Sequence, residues 1–223
     1  MGYHRAGFDI VGVDIAPQPH YPFDFVQADA LAPPFDLSGF DVIHASPPCQ
    51  AYTSMRNVSR AVHGSLPDRP DLVAVTRAML EASGVPAVVE NVPGAPIKRH
   101  LKLCGSMFGL AVRRHRFFEF VNAPSLMLTP PCQCRGYVAV GVYGDRPDGR
   151  PVWRTPGTKE GTGFAAKSLE HGAEAMGYGP GEWWGDWRAL KESIPPAYTE
   201  WIGTRLMESL SGVAALGATG ETR

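Results

Sequence analysis

The stretch FDVIHASPPCQ, residues 40–50, joins an apolar strand pattern to a cysteine that follows two prolines. We predict a strand over residues 40–45, and Pro47 and Pro48 restrict the backbone beyond it. Cys49 is then presented at the end of the strand, in a rigid turn that suits a nucleophile held in place. The alternative is a buried structural cysteine, which is the commoner fate of a thiol outside a disulfide.

Strand and helix patterns alternate on both sides of this segment. The other predicted strands are DIVGVDI (9–15), FVQADAL (25–31, ending at Asp29), residues 87–92 of PAVVENV, and residues 117–120 of RRHRFFEF. GYHRAGF (2–8) is typical of a helix end closed by Gly7, and residues 71–83 have helical periodicity up to Gly84. This alternation predicts an α/β domain with one mostly parallel sheet.

Four side chains of chemical interest come at the ends of predicted strands: Asp14, Asp29, Cys49 and Glu90. In an open parallel sheet, ligands bind outside the carboxyl ends of the strands. We therefore expect these four groups to lie along one edge of the sheet.

One glutamate and two arginines bring charge to this region. Glu90 directly follows a buried apolar strand, where a carboxylate is costly to bury, so it is a candidate acid; a Glu-Asn turn that caps the next segment is the alternative. Arg114 and Arg116 have i, i+2 spacing, which on a strand places both guanidiniums on one face. Such a pair suits a carboxylate, a phosphate or a base carbonyl, and a solvated run of charge is the alternative.

The composition is that of a folded domain, with 223 residues, 44% hydrophobic and 19% charged. The net charge of -1 argues mildly against DNA as a partner, because phosphate neutralisation supplies much of the affinity for DNA. The basic residues are nevertheless clustered, within 98–102, 113–116 and 146–159. Their distribution therefore favours a nucleic-acid partner more than the net charge does.

The four cysteines are Cys49, Cys104, Cys132 and Cys134. Neither a signal-peptide pattern nor an apolar run of membrane-spanning length occurs in the sequence, so we expect reduced thiols in a cytoplasmic protein with no membrane partner. The C-x-C pair of Cys132 and Cys134 is too sparse for a zinc site with four ligands, and no metal is predicted.

The pattern weakens over residues 121–189, where Gly, Pro and Arg are frequent, and this region is interpreted as a small, loop-rich appendage. Its aromatic residues suit either a polymer substrate or a local core. The segment SIPPAYTEWIGTRLMESL (193–210) predicts an amphipathic helix that starts at prolines and packs back on the sheet.

Three blocks, in this order and spacing, resemble the Pro-Cys, Glu-Asn-Val and Arg-x-Arg blocks of the DNA cytosine-C5 methyltransferases: SPPCQAYTSMRN (46–57), VVENVPGAP (88–96) and RRHRFFEF (113–120). GYHRAGFDIVGVDI (2–15) resembles the stretch after that family's glycine-rich loop. CGSMFGLAVRRHRFFE (104–119) and ESIPPAYTEWIG (192–203) resemble the small bacteriophage and prophage members. The resemblance covers residues 1–120 and 170–210.

The resemblance implies a Rossmann-like methyltransferase fold, with a catalytic domain over residues 1–120, onto which 190–215 pack, and a target-recognition region over 121–189. By position, Cys49 matches the nucleophile that adds to cytosine C6, and Glu90 matches the acid that grips N3 and the amino group. Arg116 matches the arginine near the base carbonyl, and Arg114 matches its neighbour. The implied activity is methyl transfer to cytosine C5 in DNA through a covalent adduct.

The resemblance also implies a cofactor and partners. The cofactor is S-adenosylmethionine, with Asp14 at the ribose hydroxyls, Ile15 against the adenine and Asp29 near its amino group. Pro47 and Pro48 shape the loop between cofactor and base. The expected partner is double-stranded DNA, with a cognate restriction endonuclease as a further candidate, and the expected state is a monomer in the cytoplasm (of the host, if the chain is phage-encoded).

The chain departs from the family pattern at three places. It begins after the position of the Phe-x-Gly-x-Gly loop, so we expect the first strand and the glycine loop of the fold to be missing and cofactor binding to be weak. Val112 stands where the family has glutamine, and residues 191–194 stand where it has Gly-Asn-Ser-Val.

Three other functions stay open. A cysteine enzyme of another class would use His44 or His63 as the base for Cys49, but it leaves Asp14 and the arginine pair unexplained. An inactive remnant would bind DNA without methyl transfer. The same thiolate chemistry on a free nucleotide is the third.

Overall fold

The computed structural model describes residues 1–49, 52, 71–123, 129–135, 138–144, 147–149, 151–152, 163–183 and 185–218. In this part of the chain the strands are β1 (Val11–Asp14), β2 (Asp24–Gln27), β3 (Ile43–Ala45), β4 (Ala87–Asn91), β5 (Leu101–Leu103), β6 (Arg116–Val121), β7 (Val140–Gly141), β8 (Pro151–Val152) and β9 (Gly163–Ala165). The α-helices are α1 (Gly2–Arg5), α2 (Leu72–Ser83), α3 (Leu169–Ala175), α4 (Trp187–Glu192) and α5 (Pro196–Ala218).

The chain forms two compact units. The first unit comprises Met1–Gln27, Cys104–Arg114 and Pro131–Arg223, and the second comprises Ala28–Leu103 and His115–Pro130. The catalytic and target-recognition regions predicted at 1–120 and 121–189 divide the chain by function, and that division stays a prediction.

The second unit is built on a four-stranded mixed sheet in the order β3-β4-β6-β5. Strands β3 and β4 are parallel and joined through α2, as parallel neighbours require a crossover. Helix α2 begins where the Asp71 carboxylate accepts from the Val73 amide, and it ends at Gly84, whose φ of 70° is left-handed. Its buried Val73 and Leu80 pack against Val89 of β4, so the central strand is covered on this side.

The first unit contains two small sheets and the remaining four helices. Parallel strands β1 and β2 form one sheet, and the order β7-β9-β8 forms the other. Helix α1 lies against α5 so closely that a Cβ on Gly2 would be 2.1 Å from the Pro196 carbonyl oxygen, which only glycine tolerates. Gly7 follows α1 with a φ of 98°. A separate core contains Val112, Val142, Met176 and Leu190 and their neighbours.

The predicted α/β character is confirmed, as are the helix end at Gly7, the helix that stops at Gly84 and the helix that begins at the prolines before Tyr198. The single, mostly parallel sheet is wrong, because the described strands lie in three sheets. Strand β6 is antiparallel to both β4 and β5. It follows β5 without an intervening α-helix, and a connection of this kind favours an antiparallel pair. The Rossmann-like architecture stays a prediction.

Two strand boundaries also differ from expectation. Strand β2 ends at Gln27, two residues before Asp29, and β3 begins at Ile43 rather than Phe40. Asp29 instead accepts a hydrogen bond of 2.9 Å from the Leu31 amide, so it caps the turn after the strand. No helix in the described residues is long and apolar enough to cross a membrane.

Candidate functional site

A buried ion pair joins two adjacent strands of the second unit. Glu90 lies in β4, with 6% of its surface exposed, and Arg116 is the first residue of β6. The register places Glu90 opposite Phe118, so Arg116, two residues away, lies on the same face of the sheet. Arg116 Nε is 2.8 Å from Glu90 Oε1. The sequence therefore folds to present a carboxylate and a guanidinium together, a pairing that the sequence analysis did not predict.

The Pro-Pro-Cys turn is fastened to the end of the same strand. Asn91, which is 1% exposed, donates from Nδ2 to the Pro47 carbonyl oxygen at 2.8 Å. Pro47 is buried, Pro48 is exposed and Cys49 is partly exposed. The turn that carries the thiol is thus held one residue beyond Glu90, on the strand between β3 and β6.

A second contact holds the chain just after Cys49. The Tyr52 amide donates to the Cys49 carbonyl at 2.9 Å, and the Tyr52 hydroxyl donates to Asp71. Desolvation, together with the hydrogen bond to Asp71, raises the pKa of Tyr52 to about 12. A Cβ on Gly94 would lie 2.4 Å from the Tyr52 carbonyl oxygen, so the turn after β4 also requires glycine for this approach. Both sides of the Cys49 turn are therefore supported from β4 and its following turn.

His44, one of the two candidate bases for Cys49, has a lowered pKa. It lies in β3, its Nε2 is 3.0 Å from Ser46 Oγ, and burial lowers its pKa to about 4. A group with so low a pKa is a weak general base for a thiol. The other histidine in that hypothesis, His63, lies outside the described residues.

The predicted cofactor residues are distributed over both units. Asp14 closes β1 in the first unit, and its Oδ1 accepts from the Ala16 amide at 2.8 Å. Ile15 is 72% exposed, an unusual state for an isoleucine beside a strand. Asp29 is exposed in the second unit. Each acid is thus at or just past a strand end, while their arrangement along one edge stays a prediction.

Arg114 does not share a strand with Arg116, contrary to the expected i, i+2 arrangement. Strand β6 begins at Arg116, and Arg114 lies in the first unit, 2% exposed. Its Nη2 donates to the Lys191 carbonyl, and its own carbonyl accepts from the Tyr198 hydroxyl at 2.6 Å. These contacts near the end of α4 and the start of α5 hold the Arg114 backbone and side chain in the first unit. The catalytic assignment of Arg114 stays a prediction.

The first unit also contains a cavity of about 520 Å³, a size that suits a small-molecule ligand. It is lined by the proline-rich loop from Ala16 to Phe23 and by side chains that include Tyr178 and Trp183. Asp14 and Ile15 immediately precede this loop in the chain. Asp14 and Ile15 are therefore next in sequence to a loop that lines a partly aromatic cavity, although they do not line it themselves.

The sequence analysis missed three supporting residues of this site: Asn91, Tyr52 and Gly94. Asn91 and Gly94 both lie in the VVENVPGAP block, whose glutamate alone had been assigned a role. Asn91 could have been found from the sequence, because it is a second polar residue at the end of a buried strand. A side-chain amide in such a position needs a hydrogen-bond partner.

A scan of protein-family models, a search of curated proteins and a search of solved structures find no match to this chain.

Proposed function

We propose that this chain is a DNA cytosine-C5 methyltransferase with Cys49 as its nucleophile. The observation that carries the proposal is the placement, within one unit, of the Glu90–Arg116 pair and of a Pro-Pro-Cys turn tied by Asn91 to the same strand. A nucleophile, an acid and a cation are the three groups that addition to a pyrimidine ring requires. The resemblance of the three sequence blocks supports the same assignment.

In the proposed mechanism the Cys49 thiolate adds to C6 of the target cytosine. Glu90 supplies a proton to N3 as the ring accepts electrons, and Arg116 donates hydrogen bonds to the O2 carbonyl. C5 then has enamine character and takes up the methyl group. Loss of the C5 proton to water and return of the N3 proton to Glu90 accompany elimination of the thiolate, so the enzyme is regenerated.

The Glu90–Arg116 contact has a definite part in this sequence. With no base bound, each side chain neutralises the other in a buried place, where an isolated charge would be costly. When the base enters, Arg116 exchanges part of this contact for the base carbonyl. The Glu90 carboxylate, no longer fully paired, takes up a proton from solvent and shares it with N3, so the pair is a pre-formed receptor for the two polar edges of cytosine.

The methyl donor implied by the resemblance, S-adenosylmethionine, carries its methyl group on a sulfonium centre. The side chains present fit its adenosine end: Asp14 offers a carboxylate for hydroxyl groups, and the exposed Ile15 offers an apolar face for an adenine. Asp29 is the candidate acceptor for the adenine amino group. Pro47 and Pro48 are the residues that the resemblance places in the loop between this ligand and the base.

The polymer substrate is supported by exposed basic residues of the second unit. Lys98, Arg99, His100 and Lys102 are all exposed, and Arg99 lies over the Phe117 ring at 4.9 Å. Such a group can contact phosphates even though the whole chain carries a net charge of -1. A target base in duplex DNA has to leave the stack before it can reach a buried carboxylate.

The test is mechanism-based trapping. Duplexes that contain 5-fluorocytosine in randomised flanking sequence are incubated with the protein and S-adenosylmethionine. The fluorine replaces the C5 hydrogen, which is normally lost as a proton, so elimination is blocked and the adduct persists. We expect a covalent protein–DNA band that survives denaturation, and none with Cys49→Ser. Circular dichroism and DNA binding of that variant serve as folding controls.

Three results would sink the proposal. The first is an adduct that survives Cys49→Ser. The second is DNA binding by the wild-type chain with neither adduct nor methyl transfer, which would favour an inactive DNA-binding protein. The third is adduct formation with the free nucleotide and not with DNA, which would assign a nucleotide-modifying enzyme.

A further inference from the structure

Three cysteine side chains of the first unit converge on one point. The Sγ atoms of Cys104, Cys132 and Cys134 all lie within 4.8 Å of one another. The sulfurs of Cys132 and Cys134 are 3.2 Å apart, well beyond the disulfide bond length of about 2.05 Å. Cys104 is buried and the other two are partly exposed. The cluster is therefore a set of thiols on the inner side of a surface segment.

The backbone around these thiols is built to bring two distant segments together. Cys104 precedes the 3-10 helix Gly105–Met107, and the Ser106 hydroxyl lies 3.3 Å from Cys104 Sγ and 3.8 Å from Cys132 Sγ. The same hydroxyl accepts from the Gln133 amide at 3.1 Å. Ser106 thus joins the segment after β5 to the C-x-C segment, and the three sulfurs surround this junction.

Close packing fixes the first of these segments. A Cβ on Gly105 would lie 1.9 Å from the Val112 carbonyl oxygen, so the chain folds back on itself between these residues. Cys104 Sγ donates to the Arg113 carbonyl at 3.4 Å. The position of Cys104 is consequently set by backbone contacts on both sides.

The sulfur geometry matches a tetrahedral metal. With Zn–S bonds of about 2.3 Å, two thiolates on a tetrahedral zinc are about 3.8 Å apart. The observed separations, 3.2 Å for one pair and within 4.8 Å for the rest, bracket this distance. Thiolate ligands select soft or borderline metals, and Zn²⁺ is the one that most often forms closed structural sites with cysteine and histidine.

We propose that Cys104, Cys132 and Cys134 hold a structural zinc ion. The three thiolates supply three of the four ligands of a tetrahedral site. The metal anchors residues 131–135 to the turn at 104–107. This site is independent of the proposed methyl transfer, since none of its ligands takes part in that chemistry.

The experiment measures metal in the full chain. Protein purified in reducing buffer is analysed for zinc by mass spectrometry, and the chelator-stripped protein is titrated with Co²⁺. We expect about one zinc per chain, a thiolate-to-cobalt charge-transfer band and the visible bands of tetrahedral cobalt. We expect the melting temperature to fall when zinc is removed, because zinc binds only the folded state and so stabilises that state.

Variants locate the site. Cys104→Ser, Cys132→Ser and Cys134→Ser each weaken zinc affinity by at least about tenfold, because one of the thiolate ligands is lost. Cys49→Ser is the matched cysteine control and retains full zinc content. The proposal fails if the reduced wild-type protein binds neither Zn²⁺ nor Co²⁺. It also fails if a variant with all three cysteines replaced by serine keeps its zinc, or if Cys49→Ser loses its zinc.

Discussion

The side chain of Asn91 donates a hydrogen bond of 2.8 Å to the carbonyl oxygen of Pro47, and this contact fixes the candidate nucleophile relative to the candidate acid. Glu90 and Asn91 are consecutive residues of β4, so their side chains point to opposite faces of the sheet. One side chain meets Arg116, and the other holds the turn before Cys49. A single strand end thereby organises both halves of the site.

Replacement of Asn91 with alanine removes this organisation. The Pro47 carbonyl loses its donor in a buried place, which costs about 1–3 kcal/mol in the free energy of unfolding. We expect the rate of adduct formation to fall by about tenfold or more, because the Cys49 turn is no longer fixed. Denaturant titration and trapping kinetics measure the two effects.

The control is Asn122→Gly. Asn122 also donates from its amide, to the Leu80 and Val85 carbonyls at 2.8 and 3.2 Å, and its φ of 51° suits glycine. Both variants should lose stability, and only Asn91→Ala should lose trapping rate in conditions where the protein is folded. Equal losses of rate in the two variants would show that Asn91 acts through stability alone.

Gly94→Ala should distort the other side of the Cys49 turn. The added methyl group would stand 2.4 Å from the Tyr52 carbonyl oxygen, a backbone atom that has to move. We expect slower trapping by Cys49 and a loss of stability of about 1–3 kcal/mol, as for other overpacked sites. Gly39→Ala is the matched control, since nothing lies within 4 Å of its Cβ position. If the two alanine variants trap DNA equally fast, the contact with Tyr52 has no bearing on the nucleophile.

Glu90→Gln should separate catalysis from folding. The amide fills the same space but cannot give up a proton to N3, so we expect methyl transfer to slow by about 10²-fold or more. Glu119→Gln is the control, because Glu119 is the other buried glutamate of this sheet; Arg77 Nε lies 2.6 Å from its Oε1. Each variant leaves a half-buried arginine without its ionic partner, so we expect both to lose stability. Single-turnover rates at equal folded fraction should fall for Glu90→Gln alone, and similar rates in both would remove Glu90 from the mechanism.

Acid should weaken the second unit through Glu119. Desolvation raises the pKa of Glu119, but the hydrogen bonds from Arg77 and from the Lys98 amide outweigh it and hold the pKa below its ordinary value of 4.5. A lowered pKa means that the stabilisation is complete above the unfolded value and is lost as pH falls through the folded one. Urea titrations from neutral pH to below pH 4.5 should show wild-type stability falling more steeply than that of Glu119→Gln. Parallel curves for the two proteins would contradict the assignment.

The sequence predicted the local elements well and their assembly less well. Gly7, Gly84 and the prolines before Tyr198 mark helix ends by backbone chemistry, and these predictions are confirmed. Periodicity does not encode which strand pairs with which, so the antiparallel β6 and the three separate sheets could not be read from it.

The site shows the same limit. Spacing and charge drew attention to Glu90 and Arg116 separately, but their contact depends on the antiparallel pairing of β4 with β6. Arg114 lies outside that strand and contacts Lys191 and Tyr198, which are distant in sequence. The thiol cluster was missed for a related reason. Spacing draws attention to the C-x-C pair, but Cys104 joins it only through the fold of the turn at Ser106.

Strand β4 has hydrogen-bonded neighbours on both sides, β3 and β6. Its amide hydrogens are therefore expected to exchange with solvent only when the sheet opens as a whole, on the slowest timescale of the unit. Pro47 and Pro48 have no amide hydrogen, so these two residues of the turn before Cys49 contribute no signal to such an exchange experiment. The acid thus belongs to the most protected part of the unit, and the turn before Cys49 is hydrogen-bonded to that same slowly exchanging strand.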